Sequence, residues 1–159
     1  MSNAILPHRQ THLHKSLTAM ALIVFFAIAT LFLTRPQATT SATSVSGLIT
    51  LTASAHTAMP YGQALANQKP TLMEFYADWC TTCQALAPAL AEVYKDFSPG
   101  VNLVMLNIDD PQWRSQIQQF HVSGVPHIVL LNGDQSVADS FVGEVPKSIL
   151  RDRLTHLLG

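Results

Sequence analysis

The two cysteines of this chain, Cys80 and Cys83, fall where its local pattern changes from strand to helix, and that junction limits the fold more than any other feature. Pro70 to Ala77, "PTLMEFYA", is a short apolar run of strand length that carries Phe and Tyr and stops at Asp78-Trp79-Cys80. Beyond the cysteines Leu86, Leu90, Val93 and Phe97 recur at the spacing of one helical face, with Pro88 inside the helix where it should introduce a kink. Val101 to Asp109, "VNLVMLNID", is nearly unbroken apolar sequence, as in a strand covered on both faces. A strand, a long helical connection and a second strand form a parallel crossover, which is expected to be right-handed.

The remainder continues in the same class. Asp110-Pro111 supplies an N-cap and a first-turn proline, and Trp113, Ile117 and Phe120 mark a short helix. "HIVLLNGDQSVADSFVG" reads as a hairpin around Asn132-Gly133. Pro146 opens a last helix, with Leu150, Leu154, Leu157 and Leu158 on one side. The predicted order is βαβ, α, ββ, α, an α/β domain.

At 159 residues the chain has room for this domain and a further segment. Leu17 to Leu33 is an apolar run broken only by Thr18 and Thr30; as a helix it covers about 25 Å of a hydrocarbon layer about 30 Å thick. It has no polar face, which sets it apart from a surface helix of the domain. Arg35-Pro36 follows directly, with no small-residue cut site nearby, so an uncleaved anchor over 17–34 is favoured over a signal peptide. Arg9 and Lys15 precede the run and only Arg35 follows it, which predicts a cytoplasmic tail at 1–16 and a domain on the far side of the membrane. Residues 35–57 are rich in Ser, Thr and Ala and read as a linker, with "GLITLTA" a candidate edge strand; the domain is assigned to 58–159.

All ten acidic residues lie at or beyond Glu74. From Lys69 onward six basic residues face these ten, a net charge of −4 that excludes the cationic footprint nucleic-acid binding requires. Two cysteines cannot supply a multi-bridge framework, nor fill a structural zinc site without further ligands.

What two close thiols can do is exchange. The thiolate is the reactive form, and Cys80 at the first helical turn meets unpaired backbone N–H groups and the positive end of the helix dipole. Cys80 is the expected nucleophile. Cys83, one turn deeper, can bridge to it and is the expected resolving thiol. Trp79 shields the pair and offers an apolar contact surface. Thr81-Thr82 carry no charge that would make the pair a strong oxidant.

From about Tyr61 to Gly159 the chain resembles the thioredoxin family in "MEFYADWC", in "WCTTC" followed by "QALAP", in "LNID", in "GVP" at Gly124–Pro126 and in Gly143 after the hairpin. The resemblance implies a thioredoxin fold, a central mixed sheet flanked by helices, here preceded by the membrane-spanning helix. It implies no cofactor beyond the Cys80–Cys83 dithiol. It also implies a cis Pro126 facing the cysteines, with the backbone of Val125 available to a client segment, and a proton-relay role for Glu74 in place of the family's usual aspartate. Glu74 is one methylene longer, and Met105 stands where the family often has a lysine.

The anchor taken with "PTLMEFYADWCTTCQALAP", "VMLNIDDPQW" and "GVPHIVLL" looks like the membrane-anchored thioredoxin-like proteins of cyanobacteria and chloroplast thylakoids. Only Ser98 to Gly100 separates helix from strand, so the compact plan of that type is expected, without an insertion. By that resemblance the protein is a reductant of lumenal or periplasmic proteins, apocytochromes c among them, fed by a transmembrane thiol carrier. A rival reading makes it a copper or zinc protein, the Cys pair joined by His127. A redox-silent binding module is a third, opposed by the presence of both thiols.

Overall fold

A computed structural model describes residues 20–30 and 39–159. The chain divides into two units, one ending at Ala38 and one from Thr39 to Gly159. In the first, residues 20–30 are helical and Leu22, Ile23, Val24, Phe25 and Phe26 are exposed. Among the described residues no helix is long and apolar enough to cross a membrane. Both ends of the expected 17–34 anchor, and the tail ahead of it, lie outside the described residues.

In the second unit the predicted elements appear in order: β1 (Thr71–Tyr76), α3 (Thr81–Phe97), β2 (Asn102–Asn107), a 3-10 turn (Pro111–Trp113), α4 (Arg114–Gln119), β3 (His127–Leu131), β4 (Val137–Val142) and α5 (Lys147–Leu158). Two helices precede them, α1 (Thr39–Thr57) and α2 (Tyr61–Ala66). The sheet runs β2-β1-β3-β4, with β1–β2 parallel and the other two pairings antiparallel, so it is mixed as expected.

Strand alternation sorts the core into two layers. Leu72, Ile128 and Leu130 face the side covered by α3 and α5, against Leu86, Leu90, Val93, Leu150 and Leu154. Met73, Phe75, Val104, Leu106 and Val129 face the other side, toward Ala64 of α2 and Ile117 of α4. Each fully buried Leu or Phe contributes about 1.5–3 kcal/mol by leaving water. All six residues of β1 are buried, which explains why this strand lacks a polar alternation.

The hairpin differs from a two-residue turn. Asn132 N–H donates to the Ser136 carbonyl (2.9 Å), the left-handed residue is Gln135 at φ 72°, and the register shifts at Leu130/Leu131. Gly133 is required for space, since a methyl there would collide with the carbonyl of Gln68.

The stretch expected to be a linker with an edge strand needs correction. Thr39–Thr57 is one helix, "GLITLTA" lies within it, and the compact unit starts at Thr39, not 58. Gly47 and Leu51 are buried, and Ser54, Ala55 and Ala58 are half-buried, which is helical spacing along one side. Apart from Leu51 this side is built of small residues, and Gly47 brings the backbone of α1 close to α3 so that this one large side chain is buried. A search for an apolar period passes over such a stripe, because the larger residues Val45, Leu48 and Ile49 are the exposed ones.

Candidate active site

β1 delivers the chain to the top of α3, where Cys80 is the N-cap in extended conformation (φ −76°, ψ 103°). Its Sγ accepts the backbone N–H of Cys83 at 3.1 Å, one of the donors a helix start leaves unpaired. Cys80 and Cys83 form a disulfide with Cα atoms 5.2 Å apart. Cys80 keeps 5% of its surface exposed and Cys83 none, so an incoming group meets Cys80 first.

Trp79 stands beside them, 64% exposed, with its indole N–H donating to Asp109 Oδ2 at 2.8 Å. That bond fixes the ring as one wall of an apolar groove of about 490 Å³, completed by Ile108, Ile117, Val122, Gly124 and Val125. Asp109, Ile117 and Val122 were not read from sequence as part of the site. Asp109 closes the "LNID" motif and was findable there, whereas Ile117 and Val122 join the groove only through the packing of α4. The Val125–Pro126 bond is cis, as the family resemblance implied, and the Pro126 carbonyl accepts from Gly143 N–H at 2.8 Å.

Glu74 is fully buried on the α3 side of β1, and among the described residues neither carboxylate oxygen has a hydrogen-bond partner. Its strand neighbours in register are Met105 and Ile128, so an apolar thioether does occupy the place of a cationic partner. Burial without compensation pushes the carboxyl up to about 8, leaving it protonated near neutrality. Tyr76, two residues on and on the same side, is raised as well, by burial first and then by Asp78 and Glu74.

His127 does not join the thiols. It is paired with Phe75 across β1–β3, and alternation turns it to the sheet face opposite Glu74. Its ring lies against Phe75, its Nε2 is 2.7 Å from Ser140 Oγ, and burial lowers its pKa. The expectation that His127 could complete a copper or zinc site with the Cys pair is therefore corrected: a residue one position after the cis proline points away. Among the described residues no group of three or more His, Cys, Asp or Glu side chains could hold a metal ion.

Comparison with known proteins agrees with this geometry. The thioredoxin family model matches residues 52–156. A thiol:disulfide interchange protein TxlA homolog of Synechocystis sp. is 44% identical over 110 residues, 69% of this chain and 61% of that protein. The chloroplastic thioredoxin-like protein HCF164 of Oryza sativa subsp. japonica is 40% identical over 111 residues, 70% of this chain and 42% of its own length. This chain thus spans less than two thirds of either relative. Among solved structures, a mutant thioredoxin from Halobacterium salinarum superposes with a TM-score of 0.54 at 25% identity, over 61% of this chain and 81% of that one. The family is one of disulfide oxidoreductases working through their own cysteine pair, and by its matched length, fold and bridged Cys80–Cys83 this chain belongs to the thioredoxin family.

Proposed function

We propose that this protein is a membrane-anchored disulfide reductase whose domain works on extracytoplasmic or lumenal proteins, apocytochromes c among them. The observation that carries the reading is the unequal burial of a bridged cysteine pair at a helix N-terminus, beside an apolar groove. In the reduced protein the Cys80 thiolate attacks one sulfur of a client disulfide, forming a mixed disulfide and releasing the other client sulfur as a thiolate. Cys83 then loses its proton and attacks Cys80 Sγ, releasing the second client thiolate and closing the Cys80–Cys83 bridge. The client gains two electrons and the protein loses two. A transmembrane thiol carrier restores the dithiol by the same exchange run the other way.

The ionised form of Glu74, a minority near neutrality and growing as pH rises towards 8, accepts the proton of Cys83 in the second step, and the elevated pKa makes that carboxylate a stronger base than an ordinary one. Trp79 and the backbone of Val125, next to Pro126, hold the client segment. Anchoring rests on the apolar run 17–33 and the basic residues ahead of it. The similarity to proteins named for thiol:disulfide interchange and to a chloroplastic thioredoxin-like protein supports both the reaction and the compartment.

The direction of electron flow is tested by the equilibrium potential of Cys80–Cys83 against glutathione or dithiothreitol. The uncharged Thr81-Thr82 pair predicts a value nearer about −270 mV than the about −120 mV of a strong oxidant; a value at the oxidising end would overturn the reductant assignment. Fractionation of cells expressing the full chain should leave it in the membrane after a carbonate wash, and recovery in the soluble fraction would refute the anchor. Trp79→Ala is expected to raise KM for a protein disulfide by about tenfold with kcat little changed, since an exposed groove wall contributes contact rather than chemistry.

A further inference from the structure

Helix α1 meets α3 at one exceptional place. Pro88 has no N–H to donate four residues back, so the carbonyl of Gln84 is left without its helical partner. Gly47 of α1 packs directly on that carbonyl, so closely that a methyl at position 47 would overlap it. One turn further along α1, Leu51 is wholly buried in the cluster formed by Tyr76, Ala77, Cys80, Cys83 and Ala87. Ala55, the next residue at that spacing, packs against the same cluster, as does Met105, the strand neighbour of Glu74. The glycine thus lets two backbones touch at the notch a proline opens, and this contact seats a leucine against the redox pair.

We propose that α1 is the cover of the resolving thiol, with Gly47 and Leu51 as positioning residues that keep Cys83 dry and closed to outside reagents while Cys80 stays open. The inference rests on the exchange reaction above, for which it supplies the order of attack. A thiol sealed in apolar surroundings cannot compete with Cys80 for a client and reacts only with the mixed disulfide formed beside it. The cover also holds water away from the side of the sheet where Glu74 sits unpartnered.

Removing the leucine side chain opens a cavity against Cys83, and adding a methyl at Gly47 pushes α1 off the Gln84 carbonyl. The two changes differ in kind but should have one consequence. In the reduced full-length protein, a short iodoacetamide pulse followed by peptide mass spectrometry should find Cys80 modified and Cys83 protected. In Leu51→Ala and in Gly47→Ala the alkylation rate of Cys83 should rise by about tenfold or more, as local opening admits the reagent. Leu51→Met, which preserves volume, should restore protection. Leu154→Ala, a cavity of the same kind in the α3–α5 cluster, should leave Cys83 protected.

Should Leu51→Ala unfold the domain, Gly47→Ala and the single-methylene change Leu51→Val carry the test. Cys83 remaining protected in the folded variants overturns the proposal. Equal exposure in Leu154→Ala overturns it too, by showing general loosening. Alkylation needs no client, so either result stands apart from whether the protein is a reductase.

Discussion

A Cys83→Ser protein is expected to accumulate as a mixed disulfide with its clients, visible on non-reducing gels and released by dithiothreitol, while multiple-turnover disulfide reduction falls by a factor of about 10³ or more. The first attack needs only Cys80, and everything that activates Cys80 survives the substitution. Its Sγ still receives the N–H of residue 83 at the helix start, since that donor is backbone, and Cys80 remains the less buried of the two positions. The second attack needs a nucleophile one turn deeper, and serine at neutral pH supplies none. The intermediate therefore persists for lack of an intramolecular rival. Cys80→Ser should trap nothing, because the sulfur that remains is wholly buried. If Cys83→Ser captures no client while Cys80 is still alkylated by iodoacetamide, the exchange scheme is wrong.

The second large effect concerns Glu74 and the dependence of stability on pH. Its carboxyl has an ordinary value of 4.5 and is pushed up to about 8 by burial in the fold. Below about pH 4.5 the group is neutral in both folded and unfolded chains and does not oppose folding. Between 4.5 and 8 only the unfolded chain ionises, so stability falls by about 1.4 kcal/mol for each pH unit. Above 8 both states ionise and the loss levels off at about 5 kcal/mol.

Urea unfolding of the domain at pH 5, 7 and 8.5 should show this decline, and Glu74→Gln should flatten it. His127 contributes the opposite trend at the acid end. Its pKa is depressed by burial, so its share of stability is present above the ordinary histidine value and lost as pH falls. The same Glu74→Gln change should slow the resolving step by about 10²-fold near neutrality, the scale of a lost general base. A variant with the parental pH slope would mean that Glu74 is solvated and ionised in the folded state, and its proton-relay role would fall with it.

These expectations show where the linear chain sufficed. The βαβ crossover was legible because β1 and β2 are buried on both faces and α3 carries a full-sized apolar stripe, so each element announces its period through bulk. The positions of Cys80 and Cys83 follow from the same transition, since a helix that begins just after Cys80 makes it the N-cap whatever lies around it. Glu74 was legible as the acid of the thioredoxin-like "MEFYADWC" stretch and Met105 as the residue where the family often has a lysine, and the strand register sets the two side by side.

Other features depend on contacts between distant segments. His127 sits one residue after Pro126 and reads as a neighbour of the thiols, yet strand alternation sends it through the sheet to Ser140 and Phe75. Ile117 and Val122 join Trp79 in the groove only because α4 folds back over β1 and β2. Helix α1 was misread because Leu51 is the one large residue on a packing side otherwise made of Gly47, Ser54 and Ala55, so no hydrophobic period appears, and Gly47 gains meaning only opposite the Gln84 carbonyl on α3.

The amino-acid order by itself determined the order of elements from β1 onward and the place of the redox pair at a helix start, since these arise from local periodicity. Tertiary structure alone decided what surrounds that pair: the sheet face each side chain takes, the apolar groove beside Trp79 and the helix whose Leu51 packs in the cluster with Cys83. Such contacts join residues tens of positions apart through shape and close approach, and neither quantity is written in the period of any single segment.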